Sequence, residues 1–258
     1  MNPFPLEEKA RAYVARALPH APAREREKLV RDWLTKEVSA QGIVEDFQKR
    51  VGSVHDRRVL DVGFGNGITL AAFAQQGAHM CGLEVSEELH AIAHEYLQAK
   101  EVVGELQLYN GGSFPFADAT FDYMYSVSVL EHVTDPAQVL LEAARVLKPG
   151  GLFYLAFPNR LFPRETHTGI WFLSYVPRRL ARFLLVLFRR NTIDDWNLHF
   201  LSYFWLRRLL RRHAIPFTVR YEVSAASFSK RAVKQLLSAM GIHHSALLPH
   251  VMVVLERS

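Results

Sequence analysis

Cysteine is nearly absent: the 258 residues contain one, Cys81. A single thiol excludes an intramolecular disulfide framework and a cysteine-ligated zinc site, and it fits a reducing cytoplasm. Cys81 lies in a short apolar strand and reads as core; no metal site is assigned. Long apolar runs are missing as well. The longest, Phe183 to Phe188, is closed by arginine on both sides, and a membrane span needs about 20 apolar residues. The opening stretch, Met1 to Glu8, carries Glu7 and Glu8 and no apolar run, which argues against a signal peptide. Positive charge is in excess, with a net charge of +5 and a pI near 9.4. The arginines cluster between Arg178 and Arg212, however, so the excess is a local patch and does not make this a uniformly basic chain. The length suits one α/β domain with an addition, and a hydrophobic fraction of 49% allows a full core.

The chain is organised around Arg58 to Leu70. Val59, Leu60 and Val62 are strand formers, and Gly63, Gly65 and Gly67 let the backbone turn sharply where a Cβ would collide with a ligand. A helix from about Ile68 presents free N–H groups at its start. The spacing is not the G-x-G-x-x-G of dinucleotide sites, because the third glycine falls one residue early and Ile68 takes its place. Asp61 also precedes the first glycine, where it repels a pyrophosphate and favours a cationic ligand group.

Further along, Ala78 to Glu84 reads as a second strand ending in an acid, about twenty residues past the turn, where a carboxylate can bind a ribose diol. The plainer reading of Glu84 is a favourable charge before the next helix, Glu87 to about Lys100, capped by Ser86. A third strand, Glu105 to Tyr109, ends at Asn110-Gly111-Gly112-Ser113, which is either a ligand-binding edge or a simple turn. A fourth, Tyr123 to Val129, leads into Leu130-Glu131-His132-Val133-Thr134-Asp135-Pro136. His132 stands at its C-terminal end, where open α/β sheets bind ligands, and serves there as a general base or as a packing group. Asp135 caps a helix with Pro136 at its first position. Lys148-Pro149-Gly150-Gly151 then turns into a strand from Leu152 to Phe157.

Taken in order, D-x-G-x-G-x-G, the acid-ended second strand, Phe114 to Asp122, the Leu-Glu-His-Val segment and Lys-Pro-Gly-Gly resemble the motifs of class I S-adenosylmethionine-dependent methyltransferases. The small-molecule enzymes, among them those of quinone biosynthesis, are the most similar. The resemblance implies a Rossmann-like, mostly parallel seven-stranded α/β sheet with helices on both faces and a final antiparallel strand inserted beside its predecessor. It also implies S-adenosylmethionine as cofactor and S-adenosylhomocysteine as product, with Asp61, Gly63, Gly65, Gly67, Glu84, Val85, Asn110, Gly111 and Ser126 around them. Asn110 departs from the aspartate that many relatives place against the adenine, though its carbonyl still accepts a hydrogen bond. No Asp/Asn-Pro-Pro-Tyr/Phe tetrad follows the fourth strand, which disfavours nucleic-acid methylation.

Domain boundaries follow: helices over 1–50, the cofactor-binding core over 51–158, a helical substrate or lid insert over 159–213, and the rest of the sheet over 214–258. The N-terminal helices either pack on the sheet or cover the cofactor. In the insert, Glu165 and His167 on one loop join His132 as catalytic candidates, against the plainer reading of a polar surface loop. Trp171, His199 and Tyr203 are substrate candidates, the last two more often packing residues. From Arg178 to Arg190, five arginines fall within an arc of about 120° at helical periodicity. That is a basic amphipathic helix, either a lid or a contact with an anionic membrane. The expected function is methyl transfer, foremost O-methylation, to a small-molecule acceptor in the biosynthesis of a specialised metabolite, in the cytoplasm. The alternatives are a peripheral-membrane enzyme of a lipid-linked substrate and a cofactor-binding partner without transfer activity. Oligomeric state stays open.

Overall fold

Arg58–Val62 forms the middle of the sheet (β1), buried from Val59 onward. In the computed structural model, which describes residues 4–19, 21–166, 168–187, 198–220 and 228–258, two helices precede it. They are α1 (Leu6–Ala17) and α2 (Ala23–Val51), the latter begun by Pro22 and ended at Gly52. After β1 the chain alternates as expected: α3 (Ile68–Gln75), β2 (His79–Glu84), α4 (Glu87–Ala99), β3 (Gly104–Leu108), β4 (Phe121–Val127), α5 (Pro136–Val146) and β5 (Leu147–Pro158). The insert contributes α6 (Arg178–Leu187) and α7 (Tyr203–Arg212), and β6 (Phe217–Arg220), α8 (Phe228–Ala239) and β7 (His250–Arg257) complete the chain. Residues 221–227, directly after β6, lie outside the described ones.

The seven strands run in the order β3-β2-β1-β4-β5-β7-β6. The pairs from β3 through β5 are parallel, and β7 is antiparallel to both β5 and β6. Sequence order reverses between β1 and β4, and a crevice opens there at the carboxyl ends of the strands. One expectation is corrected. β5 starts at Leu147, before the Lys-Pro-Gly-Gly segment: Phe121 pairs with Leu147 and Tyr123 with Leu152, so Lys148 to Gly151 bulge out of the ladder.

Each face of the sheet has its own core. On one, α2, α3 and α4 bury Ala40, Val44, Phe47, Phe73 and Leu97 against β1, β2 and β5. On the other, α5 and α7 bury Leu140, Ala144, Leu206 and Leu210. Cys81 belongs to this second core, and its thiol is pushed up to about 12 by burial and then by Glu105, so it is inert packing. Of the two readings of the N-terminal helices, packing on the sheet is the one seen. The second half of α2 packs on the sheet, while its first half joins α1 in a separate cluster of Ala10, Val14 and Val30. Lys9–Glu95 and Arg16–Glu88 ion pairs then tie α1 down onto α4, beside the crevice.

Among the described residues no helix is long and apolar enough to cross a membrane.

Candidate functional site

The turn after β1 holds its three glycines at positive φ: 76° at Gly63, 59° at Gly65 and 76° at Gly67. Their surroundings differ. A Cβ on Gly63 would lie 2.3 Å from Val129 Cγ2, and one on Gly67 2.8 Å from Ala93 Cβ, whereas nothing among the described residues comes within 4 Å of one on Gly65. Gly63 and Gly67 therefore let the turn pack against the segment after β4 and against α4, and Gly65 opens a cradle toward the crevice.

Two carboxylates border that cradle. Asp61 is 2% exposed, and its carboxyl is pushed up to about 7 by burial, held down by Lys36 and raised again by Glu84. Glu84 accepts from the N–H of Gly65 at 2.9 Å through Oε2, and from Val85 at 2.9 Å and Ser86 at 3.0 Å through Oε1. It thus pins the glycine turn to the end of β2, and Oε2 retains a lone pair for another donor. The charge before a helix and the ligand-facing acid prove to be one side chain. Val85 is 58% exposed on the rim.

Two neighbours were not foreseen. Half-buried Lys36 of α2 stands in the field of Asp61 and Glu84; burial lowers its ammonium and the two acids raise it. Tyr13 of α1 has its phenol raised by burial, then by Glu84 and Glu88. The signal for Lys36 lay in the helical stripe Trp33, Ala40, Val44, Phe47, into which it falls as a lone cation.

At the end of β3, Asn110 Oδ1 accepts from Gly112 N at 3.0 Å, and open space faces Gly111, whose φ is +81°. The simple turn is thus real, and the carbonyl keeps one acceptor site. The loop beyond it is clasped by Glu142, which accepts from Phe114 N, and by Arg145, which donates to the carbonyls of Phe114 and Phe116. Ser126 donates its hydroxyl to Val62 O at 3.0 Å and so ties β4 to β1.

Beyond β4 the chain turns at Ser128, with φ 58°, into the Leu130-Glu131-His132 segment. His132 is one-third exposed, with Nε2 3.9 Å from Oε1 of fully buried Glu131. The carbonyl of Glu131 accepts from His199 N at 2.8 Å, which brings the insert against this segment. His199 Nε2 is buried with no hydrogen-bond partner among the described residues, and burial followed by Arg178 lowers its imidazole, which keeps it neutral. A small cavity of about 10 Å³, room for about one water, is lined by His199, Thr166 and Glu165.

The other insert candidates fall elsewhere. Buried Glu165 turns back on its own loop, accepting from both N and Oγ1 of Thr168 at 2.6 Å. His167 lies outside the described residues. Tyr203 is fully buried in the sheet core with its hydroxyl donated to Gly241 O, so the substrate role expected of it gives way to packing. Trp171 is 62% exposed on the outer surface beside Phe172. No cluster able to hold a metal ion occurs among the described residues.

A doubly wound sheet with a glycine cradle between strand-end acids defines a nucleotide-type cofactor domain. Residues 60–155 match the family model described as a methyltransferase domain. An O-methyltransferase of Aspergillus nomiae is 32% identical over 125 residues, covering 47% of this chain and 56% of that protein. A ubiquinone biosynthesis O-methyltransferase of Thiobacillus denitrificans is 34% identical over 146 residues, covering 49% and 61%. The chain thus spans less than two thirds of the length of these curated relatives. Among solved structures, a Pyrococcus horikoshii protein superimposes with a TM-score of 0.58 at 19% identity, covering 88% of this chain and 91% of that one. The [4+2]-cyclase SpnF does so with 0.56 at 17%, covering 84% and 81%. At these identities the likeness is one of fold, and a fold shared with a cyclase leaves the reaction to be argued from the site. Over residues 60–155 the chain is thus similar to methyltransferase domains, and its fold is shared with S-adenosylmethionine-dependent methyltransferases of known structure.

Proposed function

We propose that the protein transfers a methyl group from S-adenosylmethionine to an oxygen of a small-molecule acceptor, in the biosynthesis of a specialised metabolite. The observation that carries this reading is the open cradle at Gly65 between two acids, one of them kept near neutrality in its titration by burial. When bound, the cofactor supplies an activated methyl group and leaves as S-adenosylhomocysteine. Asp61 holds its ammonium, Glu84 its ribose hydroxyls and Asn110 its adenine amino group, while Val85 and Gly111 line the base. Proximity and alignment dominate such a transfer. His132 takes the acceptor's proton where one must leave; His199, neutral and next to Glu131, is the second candidate, and Glu165 the third.

Incubation of the protein with S-adenosylmethionine and a panel of phenolic and hydroxylated acceptors, read by mass spectrometry, should show the gain of one methyl group with matching S-adenosylhomocysteine release. A panel without any methylated product, despite bound cofactor, would favour a binding partner over an enzyme. His132→Ala is expected to slow transfer by about 100-fold with unchanged S-adenosylhomocysteine affinity; an unchanged rate would take the proton-acceptor role from His132. Lys36→Met should move the midpoint of pH-dependent cofactor binding upward, because Lys36 holds the Asp61 carboxyl down. Calorimetry with S-adenosylhomocysteine across pH checks this, and a downward shift would contradict it.

A second reading, peripheral attachment to an anionic membrane, is favoured by the outer face of the insert. The buried stripe of α6 is only Ala181 and Leu185, which join a small cluster with Leu173 and Leu198. Leu180, Phe183, Val186 and Leu187 face outward next to Trp171, Phe172 and Tyr175, all between 45% and 64% exposed. Exposed Arg178, Arg179 and Arg182 lie among them, a basic and aromatic combination suited to a lipid interface. Co-sedimentation with phosphatidylglycerol vesicles should be strong in wild type and lost in Phe183→Asp. Equal sedimentation of the two proteins, or none at low salt, would sink this reading.

A further inference from the structure

Between the first half of α2 and the 162–169 loop lies an open groove of about 760 Å³, within the range of small-molecule sites. We propose that it binds a phosphate or diphosphate group carried by the acceptor, so that the substrate class is a phosphorylated or diphosphate-linked molecule. This deepens the methyltransferase reading and rests on it for the identity of the ligand as acceptor.

The groove is built for an anion. Arg24, Lys28 and Arg31 line one wall at spacings of four and three, which puts them on one helix face, and Arg164 stands in the opposite wall. Among the described residues, none of the three α2 cations is in an ion pair. Three acids of α2 are paired with other cations, Glu27 with Arg11, Glu37 with Lys100 and Asp46 with Arg50, and Glu27 also lies in the field of Arg31. Exposed cations gathered on one face outside any ion pair repel one another, and a polyanion relieves that repulsion. Of the two acids in the lining, Glu165 accepts from N and Oγ1 of Thr168 through Oε2; Glu25 is the other. Phe162 and Pro249 give the groove an apolar floor for the non-ionic remainder of a ligand.

The position ties the groove to methyl transfer. Glu165 and Thr166 line both this groove and the smaller cavity that ends at His199, and Thr166 Oγ1 and His199 Nε2 are buried polar atoms without a hydrogen-bond partner among the described residues. His199 in turn bonds the backbone of Glu131, the residue before His132. From the other side, Lys36 follows Arg31 by five residues, about 7.5 Å along the helix, and stands in the field of Asp61 and Glu84. An acceptor anchored by its phosphate in the groove thus extends toward the cofactor cradle.

The test uses the full chain and inorganic pyrophosphate, by calorimetry at low salt. Saturable binding is expected, weakened at least about 10-fold in Arg24→Gln/Lys28→Gln/Arg31→Gln, with S-adenosylhomocysteine affinity and melting temperature unchanged. The control, Arg208→Gln/Arg211→Gln/Arg212→Gln, removes the same charge from exposed positions of α7 and should leave pyrophosphate binding intact. No saturable binding, equal binding by the groove variant, or equal weakening in the control would overturn the proposal. A parallel arm with phosphatidylglycerol vesicles separates the sources. Vesicle binding displaced by pyrophosphate and lost in the groove variant points to a lipid headgroup, and pyrophosphate binding without it to a soluble phosphate ester. Loss of S-adenosylhomocysteine binding with pyrophosphate binding retained would fail the methyltransferase reading alone.

Discussion

Gly65→Arg is expected to abolish S-adenosylhomocysteine binding, a loss of at least about 100-fold, in a protein that stays folded. The position faces open space, so the new side chain fills the cradle and displaces nothing of the protein itself. Its backbone, at φ 59°, costs about 1–2 kcal/mol for a residue with a Cβ. Gly63→Ala should behave in the opposite way. Its methyl group would sit 2.3 Å from Val129 Cγ2, and overpacking adds about 1–3 kcal/mol to a similar backbone cost. At about 2–4 °C per kcal/mol for a chain of this size, melting should fall by roughly 5–15 °C. Thermal melts and calorimetry on the two variants separate a ligand cradle from a packing contact. A Gly65→Arg protein that binds normally would remove the cradle from the account.

The second large effect concerns Asp61, and it has two signs. Its carboxyl is raised from 3.8 to about 7 in the folded protein, mainly by burial. The native state therefore holds a proton that the unfolded chain releases, and the associated stability is full below 3.8 and lost as pH rises through about 7. At pH about 8 the ligand-free protein carries the whole cost of a buried ionised carboxylate. Asp61→Asn removes that cost and should melt higher than wild type there. The same substitution removes the anion proposed to face the cofactor's ammonium, and should weaken S-adenosylhomocysteine by about 30-fold or more. In wild type, affinity should rise with pH up to about 7, as the carboxylate becomes available, by at most ~10-fold per pH unit; in Asp61→Asn the profile should be flat. A variant both less stable and undiminished in binding would reverse the account of this residue.

What could be seen in advance follows from how local each feature is. Asp61 to Gly67 is a single turn between a strand and a helix, and Glu84, Asn110 and His132 each stand at or just past the end of a strand, so periodicity marks them one by one and the family resemblance implies the sheet that joins them. Asp135 and Ser86 cap their helices as their residue types require. Lys36 escaped notice because its partners lie across a helix–sheet contact, although a cation within an apolar stripe was a usable sign. Tyr203 looked accessible for want of any sign that Gly241 would meet its hydroxyl. The basic groove was the least legible, since residues 24–31, 162–169 and 249–250 meet only through the tertiary fold. The arginine-rich α6 was recognised as amphipathic, but its thin buried stripe depends on the satellite cluster around Leu173 and Leu198.

The central claim is that Gly65, Asp61 and Glu84 together form the cofactor site. Isothermal titration of S-adenosylhomocysteine into the full chain, at a pH about one unit above the Asp61 value of about 7, tests it most directly. The account predicts saturable one-to-one binding that disappears in Gly65→Arg and is strongly weakened in Glu84→Ala. Absence of binding at millimolar ligand, or binding indifferent to both substitutions, would contradict it.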